Sequence, residues 1–166
     1  MSRANVRSTL ATFIQPPNVD GINQVFTSFP KRINFQVNAL PSDLNRCAAV
    51  IFIESEREER LTVGGIPGTN ASKGWKRVDY TVAIQLFRHS QERNAEDAMT
   101  HFDTCVDNLK DKLRSDHRFG DDSGVLVWQG AEPAIDVSYG EPLSNDGTST
   151  ETWATLRFDV TEMIQA

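Results

Sequence analysis

Three histidines, two cysteines and a row of aspartates supply the side chains that could move protons, attack carbon or hold a metal. His89, His101 and His117 belong to no HExxH motif and to no paired Cys/His box of zinc spacing. The one suggestive set is Asp97, His101 and Cys105, each four residues apart, which places them along one edge of a helix. Such a row can gather metal ligands or set a thiol beside its base. The pattern around it favours a structural role, with Cys105 pointing into a core and His101 flanking it at the solvent boundary. Cys47 and Cys105 form no CxxC pair and each lies in an apolar run, so both read as small buried thiols of a reducing compartment.

The stretch from Gly64 to Gly74 (Gly-Gly-Ile-Pro-Gly-Thr-Asn-Ala-Ser-Lys-Gly) is glycine-rich without being a phosphate cradle. A P-loop needs GxxxxGK[ST] opening a helix, whereas here Lys73 precedes Gly74 and Trp75 opens a strand. Without a helix N-terminus there is no fan of amides for a phosphate, and no cofactor is expected. Asn70-Ala71-Ser72 matches a glycosylation acceptor, but the polar N-terminus does not read as a signal peptide. Asp103, Asp107 and Asp111 form an acidic ridge on the far side of the same helix as Cys105. Lys110 and Arg114 follow at three residues and offset the like-charge repulsion. A solvated helix face accounts for this ridge; the functional alternative is an acidic wall for something that must not stick, such as passing DNA.

These residues need elements to position them. Val6, Leu10, Phe13 and Ile14 make one face of an opening helix that Pro16-Pro17 ends. Residues 18 to 45, punctuated by Gly21, Pro30 and Pro41, are expected to form an irregular packed strap. Cys47 to Glu54 reads as a strand buried on both faces, and Leu61 to Val63 as a short further strand. The charge run from Glu54 to Arg60 and the glycine-rich loop after it form a flexible hairpin projection at about 55–75. Val78, Tyr80, Val82, Ile84 and Leu86 alternate with polar residues in a half-buried strand. A helix over about 94–116 buries Ala98, Met99, Phe102, Cys105, Val106, Leu109 and Leu113 on an arc of about 120°. Strands are expected at Val125–Trp128, Ala134–Tyr139 and Thr152–Val160. The fold class is α+β, a mostly antiparallel sheet with two main helices packed on it, in the order α-β-β-β-α-β-β-β.

Composition sets the frame. At 166 residues the chain fits a single domain over 1–166, long enough to bury a core without disulfides or metal. No stretch approaches the roughly 18 apolar residues of a spanning helix, so no membrane partner is expected. With 17 Lys+Arg against 23 Asp+Glu the net charge is -6, a poor balance for wrapping DNA or docking on anionic lipid. Nine acids and five bases between Glu92 and Asp122 concentrate that charge around the second helix.

The whole layout resembles the tail terminator proteins of long-tailed (siphovirus-type) bacteriophages. The likeness lies in the short helix with Val6, Arg7, Leu10 and Ile14, the proline-punctuated strap, the charged hairpin region from Glu54 to Lys76, the long helix and three terminal strands. The stretch Ala134 to Pro142, followed by Trp153 and Phe158-Asp159-Val160, looks like the versions in actinobacterial phages. The resemblance implies a non-enzymatic virion protein, a ring, usually a homohexamer, that caps the head-proximal end of the tail tube. It also implies partners: further copies of itself, the tail tube protein, a head-completion or connector protein, and double-stranded DNA crossing the lumen without specific binding. Assembly would occur in the bacterial cytoplasm. By the same resemblance the tube- or neighbour-contact loop would include Arg57, Arg60, Lys73, Trp75 and Arg77, and Asp103, Asp107 and Asp111 would suit an acidic lumen face. Trp75, Phe87, Trp128, Trp153 and Arg157 are candidate interface anchors, with Trp128 and Trp153 read rather as core. The alternatives are another head–tail adaptor or a tube protein, or a small hydrolase built on His101 and Cys105.

Overall fold

The computed structural model describes residues 3–31, 33, 47–61, 74–90, 95–121, 126–128, 134–145 and 149–165. Among these residues the structure is mixed α/β, with one seven-stranded sheet and two helices. Helix α1 (Arg3–Ile14) buries Val6, Leu10, Phe13 and Ile14, the stripe its spacing predicts, and stops just before the two prolines. Helix α2 (Ala95–Ser115) opens with Glu96 and Asp97 and closes with Lys112 and Arg114, charges that suit the two ends of its dipole. Its buried face is Ala98, Phe102, Cys105, Val106, Leu109 and Leu113, while Met99 is only half-buried.

The sheet is more extensive than the sequence pattern indicated. Strand β1 (Ile22–Phe26) lies inside the stretch expected to be irregular and pairs in parallel with the start of β2 (Cys47–Arg60). The expected strand end at Glu54 is also wrong: β2 runs on through the charge run to Arg60, paired residue by residue with β3 (Trp75–Ser90). Residues 55–60 and 75 are therefore ladder rather than flexible projection, and Leu61 lies just outside the strand. Val63, and the glycine-rich loop with Lys73, fall outside the described residues.

After α2 come β4 (Leu126–Trp128), β5 (Asp136–Tyr139), β6 (Leu143–Asn145) and β7 (Ser149–Gln165). Strand β6 adds a fourth strand to the three expected there, and β7 is far longer than Thr152–Val160. The path is β1-β2-β3-β7-β4, every pairing but β1–β2 being antiparallel. Strands β4, β5 and β6 tile the outer edge of β7 one after another, against Val160–Glu162, Ala154–Arg157 and Ser149–Glu151.

Register sorts the side chains. Val78, Tyr80, Val82, Ile84, Leu86 and Arg88 lie opposite Glu162, Val160, Phe158, Leu156, Ala154 and Thr152, and this face carries the helices. Trp128, Phe119 and Phe158 form an aromatic cluster with centroids 4.8–6.0 Å apart, and Phe13 of α1 meets Phe119 edge-on at 5.9 Å. Trp128 also donates its Nε1–H to Leu113 O at 3.2 Å, so the indole is satisfied as well as buried.

Candidate functional site

Among the described residues, two charged surfaces lie outside the core. The first is the far end of the sheet. Strand β2 changes from fully buried at Ile51 to exposed from Glu54 onward, because it outruns β1, whose pairing ends at Val50. From Ile51 to Arg60 no other described strand lies on that edge of β2. What remains there is a three-strand ribbon of β2, β3 and the end of β7, with Trp75 opposite Gln165 at its tip.

Register decides which expected contact residues share a face. Arg57 pairs with Asp79, and Glu59 with Arg77, so Arg57, Trp75 and Arg77 lie together on the side away from the helices. Arg60 pairs with Lys76 and lies on the opposite, helix-bearing side. Lys73 is outside the described residues. Trp75 is 46% exposed, the largest apolar side chain at the tip.

Electrostatics hold the ribbon in shape. Arg77 Nε donates to Asp79 Oδ1 at 2.8 Å, and Thr161 Oγ1 donates to the same oxygen at 2.7 Å. Thr81 Oγ1 donates to Asp159 Oδ1 at 2.8 Å. Arg157 Nε lies 3.0 Å from both oxygens of Glu54, and its NH1 donates to Ser138 Oγ at 3.1 Å. Lys76 Nζ reaches Glu58 at 3.1 Å, and Arg3 of α1 pairs with Glu56. Such half-exposed pairs add little stability each, but they fix the direction of long side chains across three strands. Beneath them, Tyr80 Oη donates to Glu162 Oε2 at 2.9 Å, and Glu162 is fully buried. Burial, then this bond, raises the Tyr80 phenol above its usual range.

The second surface is the outer side of α2. Asp103, Asp107 and Asp111 are exposed along it, Asp111 with 80% of its side chain in solvent. Lys110 Nζ meets Asp107 at 2.6 Å and Arg114 NH1 approaches Asp111 at 3.9 Å, the offsets their spacing predicts. Tyr139 lies beside the ridge, its ring edge-on to Phe102 at 6.5 Å and 53% exposed. Its phenol is raised by burial first and by the charge of Asp103 second.

The Asp97–His101–Cys105 row runs from solvent into the core. Asp97 is exposed, His101 half-buried, and Cys105 turns into the core, where its thiol is hydrogen-bonded with that of Cys47. That bond, then burial, pushes the Cys47 thiol well above its usual range, with Arg88 pulling weakly the other way. Among the described residues no group of three His, Cys, Asp or Glu side chains is placed to hold a metal ion. An open cleft of about 470 Å³ between α1 and the turn after α2 is lined by Ser8, Thr12, Phe13, Asn18, Phe119 and Asp121 among others. Thr12 donates to Ser8 O and Asn18 to Thr12 O, while Asp121 accepts from Leu126 N, so its polar groups serve the backbone around it.

Of the candidate anchors, Trp128 is core at 6% exposure, whereas Trp153, also expected in the core, is half-buried on the sheet face away from the helices. Phe87 and Arg157 share that face and that degree of exposure. Two buried charged residues escaped the sequence reading. Arg88 and Glu162 sit on the apolar parity of their strands, Arg88 two residues beyond Leu86 and Glu162 two beyond Val160. Continuing each alternation by one step would have found them. Arg88 donates to Ala98 O and thereby ties β3 to the first turn of α2. Among the described residues, no helix is long and apolar enough to cross a membrane. No protein-family model matches the chain, and no curated protein matches its sequence.

Proposed function

We propose that this chain is a structural assembly subunit, the ring-forming terminator of a siphovirus-type phage tail, rather than an enzyme. The observation that carries this reading is the ribbon at the far end of the sheet. Its outer β2 edge from Ile51 to Arg60 has no described strand beside it, and a half-exposed tryptophan stands at its tip. An open strand edge is a surface for another chain, and charged residues such as Glu56, Arg57, Glu58 and Glu59 keep it from pairing indiscriminately. Contact between that edge and a different patch of the next subunit is heterologous, the kind that closes into a ring when its rotation allows. In the ring, the α2 ridge of Asp103, Asp107 and Asp111 faces the lumen, where negative walls repel DNA phosphate and ease transit. Arg57, Trp75 and Arg77 form the surface for the tube or a neighbour, with a head-completion protein on the opposite side.

The same ribbon would serve another head–tail adaptor, and the hydrolase reading loses support from the burial of Cys105 against Cys47. Mass measurement in solution tests the assembly reading. A discrete multimer, dissociating when Arg57 is changed to Glu, is the expected result. A monomer at every concentration, with no rings in micrographs, would overturn it.

A further inference from the structure

Two cysteines that are far apart in sequence meet in the core. Cys47 is the first residue of β2 and Cys105 lies in the third turn of α2; both are free thiols, 1% and 2% exposed. Gly21 brings them together. Its carbonyl accepts from Cys47 N at 3.2 Å, and its neighbour Ile22 is the strand partner of Cys47. On its other side Gly21 lies so close to α2 that a Cβ there would sit 3.3 Å from both Cβ and Sγ of Cys105. The residue has a φ of +92°, which glycine adopts without strain. The chain thus gives up a side chain at position 21, the point that Cys47 and Cys105 both approach.

We propose that Cys47 and Cys105 are a built-in dithiol that closes to an intramolecular disulfide under a peroxide oxidant, fastening α2 to the β1–β2 end of the sheet. One thiol, as its thiolate, attacks hydrogen peroxide, forming a sulfenic acid and releasing hydroxide that takes up the thiol proton as water. The second sulfur then attacks the sulfenic sulfur, the S–S bond forms, the S–O bond breaks, and a second water leaves. Two thiols are oxidised by two electrons and one peroxide is reduced to two waters. The fully buried Arg88 is the strand partner of Cys47 and donates to Ala98 O at the start of α2. Next to Cys47 in the ladder, its positive charge favours the thiolate, against the opposing effects of Cys105 and burial.

The bridge would close a long loop, from residue 47 to residue 105, and so constrain the unfolded chain strongly. This inference concerns the core and does not depend on the assembly role proposed above. The test uses the whole chain, folded, with and without hydrogen peroxide, then unfolded in guanidinium with iodoacetamide and weighed intact. The expected product is a monomer lighter by about 2 Da that takes no alkyl group, with a Cys47–Cys105 linked peptide after digestion. Its melting midpoint should rise by on the order of 10 °C and return on adding a thiol reductant. Cys105→Ala should show no such rise; because the intact-mass result comes from the unaltered chain, a variant that fails to fold leaves the test standing. Three results would overturn the proposal: both thiols alkylating after peroxide treatment, oxidation ending as sulfinic or sulfonic acid, or a disulfide joining two chains. A midpoint that falls on bridging would overturn it too, since the bridge would then form only by breaking the packing.

Discussion

Phe119 offers a perturbation in which two physical effects can be separated. The ring is buried and packs against Phe13, Trp128 and Phe158, linking α1, the turn after α2, β4 and β7. Its backbone lies at φ 53°, the left-handed region, where a side chain costs about 1–2 kcal/mol. Asp116 maintains that turn by accepting from Arg118 N at 2.9 Å and Gly120 N at 2.8 Å. Phe119→Ala removes the ring and keeps the strain, so the expected loss is about 3–5 kcal/mol. Phe119→Gly removes the ring and the strain together. In an ordinary extended or helical position glycine is less stable than alanine by roughly 0.5–1 kcal/mol. Here the order should reverse, with the glycine variant about 0.5–1 kcal/mol the more stable after its greater unfolded-state freedom is counted. Urea unfolding followed by tryptophan fluorescence measures both, since Trp128 touches the cluster. An alanine variant equal to or above the glycine variant would refute the strain argument. A loss below about 1 kcal/mol in both would refute the claim that this cluster holds the layers together.

Other consequences are equally direct. A Cβ on Gly140 would fall 1.8–2.5 Å from three atoms of the Trp153 indole, so Gly140→Ala should cost about 1–3 kcal/mol. Adding Trp153→Ala should remove most of that cost, and strictly additive losses in the double-mutant cycle would contradict the contact. The two amide donors hold the Asp116 carboxyl below the usual carboxylate range. A lowered folded value means the unfolded chain binds the proton first; the contribution is present above about pH 4 and is lost as pH falls through the folded value. Asp116→Asn should therefore destabilise at neutral pH and flatten the acid limb of the stability curve, and a parallel limb in the variant would count against this. Converting Asp103, Asp107 and Asp111 to Asn removes only exposed pairs worth a few tenths of a kcal/mol each, so the melting midpoint should barely move. The assembled form should then retain DNA more strongly at low salt; unchanged retention across a salt series would remove the lumen role.

Local periodicity carried the parts of this fold that local physics decides. The α1 stripe, the buried face of α2 and the alternation from Val78 to Leu86 are one-face patterns, and each element appears where its pattern lies. Strand β1 had no such signal: Ile22-Asn23-Gln24-Val25-Phe26 mixes polar and apolar residues, and its existence depends on a parallel partner much further along the chain. The charge run in β2 misled for a related reason. Along Glu54–Arg60 this edge strand is exposed on both of its sides, so its hydrophobic period vanishes while the ladder to β3 continues. Burial of each thiol could be read from its apolar setting, but not their meeting, which needs Gly21 between β1 and α2. The aspartate ridge was legible because helix geometry alone puts those residues on one side. The ribbon face was not, since strand register separates Arg60 from Arg57 and Arg77.

The most direct measurement of the proposed role is the length distribution of tail tubes grown from purified tube protein with increasing amounts of this chain. The tubes should become shorter in proportion to the chain added, each carrying one ring-shaped cap at a single end. Tubes that keep their length uncapped, or that lengthen by taking the chain into their walls, would contradict it.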